Sequence, residues 1–141
     1  MPPTESRLRV VLFSFGFKYG MPIDVNMLLD VRFLPNPYWV EELRAETGKD
    51  RKVAEYILKS RQGVKFMDHL VPMIDLTVAQ NREADKKSLR IGIGCTGGRH
   101  RSVAITESIG LFLKLKPIHL SVFHRDISKD TMYGSDPNFC N

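Results

Sequence analysis

At 141 residues the chain is sized for one domain, and with 43% apolar and 26% charged residues it has the composition of an ordinary globular protein, not a disordered one. Cys95 and Cys140 are too few and too far apart for a disulfide framework, which points to a reducing, cytoplasmic setting. No apolar run is long enough to span a bilayer, so no membrane association is expected, and the opening "MPPTESR" lacks the apolar core of a secretory signal. The net charge of +5 favours anionic partners; residues 126–141 carry one lysine and three aspartates, a net of −2, so the +7 of residues 1–125 places any anion-binding surface in the body.

Residues 1–7 read as a loose polar terminus, and the ordered core of a single domain (1–141) is expected over about 8–126. The first strand-length apolar run, Leu8 to Phe15 ("LRVVLFSF"), passes straight into "GFKYG" (16–20). Only eleven residues, 16–26, separate it from the second run, Met27 to Val31 ("MLLDV"), which is close to the minimum for a parallel crossover. "RFLPNP" (32–37) follows. Val53, Ala54, Ile57 and Leu58 then form one helical stripe; Met67, Leu70, Val71, Ile74 and Val78 form a second, with Pro72 as an expected kink.

A third strand, Leu89 to Ile93 ("LRIGI"), opens into "GCTGGRHRS" (94–102), and a third helical stripe follows at Ile105, Ile109, Phe112 and Leu113. The last strand, Ile118 to Phe123 ("IHLSVF"), ends in "HRD" (124–126); residues 128–141 read as a second loose terminus. Strands alternating with helices predict an α/β fold, a mostly parallel sheet flanked by helices in a Rossmann-like three-layer arrangement. In such sheets ligands bind beyond the carboxyl ends of the strands, which is where the four polar segments would converge. The loops at 45–52 and 81–88 read as ordinary charged surface on the opposite side.

Strand, glycine turn and helix together point backbone N–H groups at an anion. Gly97 and Gly98 permit a tight turn and close approach, Arg99, His100 and Arg101 supply positive charge, and Ser102 is placed either to cap the helix or to donate a hydroxyl bond. A site for a phosphate or sulfate ion is therefore predicted here, with His124 and Arg125 as further candidates to complete it. Cys95, Gly98, Arg101 and Ser102 also satisfy C-x-x-G-x-x-R-S, and the loop resembles that of cysteine-dependent phosphatases. In that chemistry Cys95 would be the nucleophile, Arg101 would grip the phosphoryl oxygens, and Asp30 or Asp126 would have to protonate the leaving group. Gly94 stands where those enzymes usually carry a histidine. The Lys-Ser/Thr ending of a nucleotide-binding phosphate loop is missing, and the histidines show no metal-ligand spacing with the cysteines, so neither ATPase activity nor a metal or cofactor is expected.

Taken in order, "FSFGFKYGMP", "DVRFLPNPYW", "VAEYI", "GIGCTGGRHRSV" and "HRD" resemble the carboxy-terminal domain of the RapZ family of bacterial RNase adapter proteins, over about residues 8–126. Full-length members carry an amino-terminal nucleotide-binding domain ahead of this one, which this sequence does not contain; a free-standing version or an excised piece would both fit. The resemblance implies a non-catalytic module that binds glucosamine 6-phosphate and small regulatory RNA, presents the RNA to an endoribonuclease, and forms a homo-oligomer. Carried over, the phosphosugar site falls on Cys95, Thr96, Gly97, His100 and Arg101, with Arg32 and Asn36 from the neighbouring loop.

Two positions depart from the family pattern. Tyr38 stands where the family often has histidine after "PNP", and the region after the last strand is acidic on balance where members commonly end in a Lys/Arg-rich tail. RNA binding would then fall to body residues such as Lys49, Arg51, Lys52, Lys86, Lys87 or Arg125. Lys18, Tyr19 and Tyr38 are candidates for contacts to ligand or RNA. The alternatives are the cysteine-dependent phosphatase and a protein-interaction domain whose anion site is vestigial.

Overall fold

The four apolar runs become four strands, β1 (Arg9–Gly16), β2 (Met27–Asp30), β3 (Ser88–Cys95) and β4 (His119–His124), in a computed structural model that describes residues 7–129. They form one all-parallel sheet in the order β2-β3-β1-β4, flanked by helices in a three-layer α/β arrangement. The register pairs Arg9 with Ser88 and runs through to Gly16 with Cys95, so the two central strands end side by side. The short link after β1 does not join neighbours, because β3 lies between β1 and β2.

The helical stripes become α2 (Arg51–Leu58), α3 (Arg61–Glu83) and α4 (Arg101–Leu113), and a single extra turn, α1 (Glu41–Arg44), precedes them. Ser60 caps α3, its hydroxyl accepting the Gly63 N–H at 2.9 Å. Pro72 lies inside α3 without ending it. One apolar core joins Val10, Leu12, Ile91 and Ile93 of the sheet to Ile105 and Ile109 of α4, Val53 and Ile57 of α2, and Leu70 and Ile74 of α3.

Alternation along a strand sends Phe13 and Phe15 to the other face of β1. Each ring lies over a glycine of β3, because the register sets Phe13 opposite Gly92 and Phe15 opposite Gly94. A Cβ at Gly94 would collide with the rings of both Phe15 and Phe17. That gives Gly94 a packing role independent of any catalytic motif. Phe123 of β4 stacks on Phe13 at 5.1 Å, and both Phe13 and Phe15 are buried. Of the two termini read as loose, only Arg7 and residues 128–129 lie among the described residues; Lys129 is tied by its ammonium to Asp126 at 2.7 Å.

Candidate functional site

Because every strand runs the same way, the segments 16–20, 32–37, 94–102 and 124–126 meet at one end of the sheet. Backbone bonds stitch them together: Lys18 N–H to the Thr96 carbonyl at 3.1 Å, Val31 N–H to Gly94 at 2.9 Å, and Arg125 N–H to Ser14 at 3.0 Å. Between them lies a small hollow lined by Asn36, Cys95, Thr96, Gly97, Arg99, His100 and Arg101.

The glycine turn has the conformation its residues allow. Gly98 has φ +74°, and a Cβ there would come within 2.6 Å of the Gly16 nitrogen, so a side chain fails on both counts. α4 then begins at Arg101, with His100 in the cap position and no side-chain cap bond. Ser102 sits inside the helix and is therefore not its cap; its hydroxyl oxygen accepts from the buried Cys95 thiol at 3.1 Å. The first-turn N–H groups of a helix lack intrahelical acceptors, which leaves this end of α4 suited to an anion.

Arg101 is the unusual member. Its side chain is 5% exposed, and it donates to the backbone carbonyls of Arg32 at 2.6 Å and Leu34 at 3.4 Å. Those carbonyls fix its direction but do not neutralise its charge. A guanidinium withdrawn from water on such terms is costly, and an anion in the hollow would offset that cost. His100 is also buried, and its Nε2 lies 3.1 Å from the Arg44 carbonyl, so Nε2 is the protonated nitrogen. Burial first, and then the charge of Arg99, lower its pKa to about 4, leaving the ring neutral at pH 7.

Other sequence-predicted residues stand around the hollow, while Asn36 and Arg99 line it and are held by further bonds. Arg32 is half exposed, pairs with Asp30 through Nη2–Oδ2 at 2.6 Å, and stacks on the Phe17 ring at 4.1 Å. Asn36 reaches the hollow while its Oδ1 accepts the Tyr38 N–H at 3.1 Å. Tyr38 is buried beneath the Arg44 guanidinium, and Trp39 packs edge-on against it while staying 65% exposed. Arg99, half-buried, donates to the carbonyls of Ala45 at 2.5 Å and Ile127 at 3.2 Å. Lys18 and Tyr19 stand at the rim, with Lys129 also over the Tyr19 ring.

His124 is committed elsewhere: one ring nitrogen meets the Ser14 hydroxyl and the other a Glu107 carboxylate oxygen, each at 2.7 Å. The order serine, histidine, acid is that of an activated nucleophile, but Ser14 is fully buried and no substrate can reach it. Arg125 donates to the Gly20 carbonyl at 2.6 Å and pairs with Asp126 at 2.8 Å. Neither carboxylate considered as a leaving-group acid is poised to give up a proton. The bond from Arg32 is the main cause that holds Asp30 below its ordinary value. Burial pushes Asp126 up, but bonds from Arg125, the Gly16 N–H and Lys129 outweigh it and leave it lowered too.

The segment at 45–52, expected on the opposite side of the sheet, instead forms part of the wall at its start. Gly48 N–H bonds the Arg99 carbonyl at 2.9 Å, and the Arg44 and Ala45 carbonyls take His100 and Arg99. Its turn signal was present as "TGKD", in which Asp50 Oδ2 accepts the Thr47 N–H at 2.7 Å. Nothing in the local pattern says which end of the sheet that turn joins.

The sequence profile of the RapZ C-terminal domain matches residues 8–128. A nucleotide-binding protein of Clostridium botulinum (strain Loch Maree / Type A3) is 45% identical over 130 residues, covering 92% of this chain and 44% of its own length. A nucleotide-binding protein of Corynebacterium aurimucosum is 49% identical over 122 residues, 86% of this chain and 42% of its own length. Another, from Caldicellulosiruptor saccharolyticus, is 46% identical over 127 residues, 90% of this chain and 43% of its own length. The chain thus spans less than half the length of these curated relatives.

Proposed function

The chain belongs to the RapZ C-terminal domain family, and from that premise we propose that it is a non-catalytic sensor that binds a phosphorylated amino sugar, glucosamine 6-phosphate, over the carboxyl ends of β1 and β3, with its phosphoryl group set against the small hollow. One observation carries this: Arg101 is buried, aimed by two carbonyls and lines the hollow, where a phosphoryl group would meet it with negative charge and paired acceptor oxygens. The glycine turn and the start of α4 add backbone donors. Asp30, close enough to Arg101 to feel its charge, offers a carboxylate for an ammonium group on the same ligand. Titration with glucosamine 6-phosphate, with Arg101→Ala as control, tests the assignment.

We further propose that regulatory RNA is a partner and that occupancy of the hollow modulates its presentation to an endoribonuclease in the cytoplasm. The excess positive charge of residues 1–125 supports this half. RNA affinity that stays constant as salt is raised would count against it. The phosphatase alternative shares Cys95 and Arg101 but needs an acid, and both available carboxylates are held in their ionised form. The name of the relatives, nucleotide-binding protein, describes chains more than twice as long as the matched region.

A further inference from the structure

A buried carboxylate beside an anion site works against binding unless it serves another purpose. Asp126 is 1% exposed and lies in the turn directly after β4. Its Oδ2 accepts the Gly16 N–H at 2.7 Å and the Arg125 Nη2 at 2.8 Å, while Oδ1 receives Lys129 Nζ at 2.7 Å and Arg125 Nε at 3.0 Å. Gly16 is the last residue of β1 and lies flat against the glycine turn: a Cβ on Gly16 would meet the Gly97 carbonyl carbon at 2.5 Å. From the other side, a Cβ on Gly98 would meet the Gly16 nitrogen at 2.6 Å and Asp126 Cβ at 3.0 Å. Asp126, Gly16 and the Gly97–Gly98 turn are thus in direct mutual contact, with no side chain between the two backbones.

We propose that Asp126 is a positioning residue for the anion loop: it fastens the end of β1 to the turn after β4 and so seats Gly97 and Gly98 in the shape that lines the hollow. Two cations, Arg125 and Lys129, are held against it and screen its charge from that hollow. This role rests on reading the hollow as an anion site. Asp126 touches no ligand in this arrangement; it acts through Gly16.

Charge and position make opposite demands, which gives the test its force. A carboxylate that merely stood nearby would repel an anion, so Asp126→Asn would tighten binding. A latch would do the reverse, because the amide cannot hold Gly16 and both cations with charged bonds. Inorganic sulfate would be titrated into the full chain and its Asp126→Asn variant, followed by amide NMR. The expected result is at least about fivefold weaker sulfate binding in the variant, with exchange of the Gly16 and Gly98 amides about tenfold faster and those of Ile91 and Ile93 unchanged. Equal or tighter binding with unaltered Gly16 exchange overturns the latch alone. No sulfate response in the unaltered chain overturns the anion site itself. Should the variant fail to fold, the unaltered chain still decides: a Gly16 amide that exchanges as fast as an unprotected one overturns the proposal.

Discussion

Gly48 lies against the His100 backbone so closely that a Cβ on it would collide with the His100 carbonyl oxygen, and would come within 2.5 Å of the Ala104 nitrogen. The turn before α2 and the start of α4 are therefore packed backbone to backbone. That contact holds the wall of the hollow in which His100 and Arg101 sit.

Gly48→Ala should consequently damage both stability and the site. Overpacking of this kind costs about 1–3 kcal/mol, and here the atoms in the way are backbone, which cannot swing aside. Urea denaturation should show that loss, and anion binding should weaken with it. An alanine variant as stable as the parent would mean that the two backbones can part without consequence.

Most of the sheet was legible from the sequence because two of its runs are close to continuously apolar, the first and last alternate, and each ends in a glycine or a polar cluster. A mostly parallel direction followed from the alternation with helices, and with it the convergence of the four polar segments; the sheet is in fact parallel throughout. What could not be read was partnership at a distance. His124 and Arg125 looked like anion ligands by composition, yet Ser14, the register partner of His124, takes its ring, and Asp126 and the Gly20 carbonyl take the Arg125 guanidinium. The segment 45–52, expected on the opposite side, joins the hollow's wall at its start for the same reason: charge marks a segment as surface but does not say which surface.

His100 should make the protein sensitive to mild acid. Its folded pKa is lowered to about 4 from an unfolded value of 6.5, so between those values the unfolded chain binds a proton that the folded chain refuses. Stability is full above about pH 7 and falls as pH drops toward 4, by roughly 3 kcal/mol at most. Urea midpoints measured from pH 7 to pH 4 should show this slope and lose much of it in His100→Gln. The lowered carboxyl of Asp126 acts with the same sign but only below its ordinary value of 3.8, outside this window. Identical slopes in the two proteins would mean that His100 titrates normally.

Cys95 should be dispensable for binding. Its thiol is buried and donates a hydrogen bond to the Ser102 hydroxyl oxygen, a contact that serine can reproduce. Cys95→Ser should bind sulfate within about twofold of the parent, since one neutral hydrogen bond replaces another. The parent should release no phosphate from p-nitrophenyl phosphate. Steady turnover that stops in Cys95→Ser would instead establish the thiol as a nucleophile.

Arg101 should tolerate no substitute. Lysine keeps the charge but not the planar fork that donates to the Arg32 and Leu34 carbonyls while facing the hollow. Arg101→Lys should lose at least about tenfold in sulfate affinity, or about 1.4 kcal/mol. Full retention in the lysine variant would show that charge alone, without the fork, serves the hollow.

The most direct measurement is a calorimetric titration of glucosamine 6-phosphate into the purified chain, with Arg101→Ala beside it. Heat that saturates near one ligand per chain and disappears in the variant is the outcome expected of a phosphosugar sensor built on the buried arginine. Heat that continues steadily after each injection would contradict it in favour of catalysis, and no heat from either protein would show that the hollow takes something else.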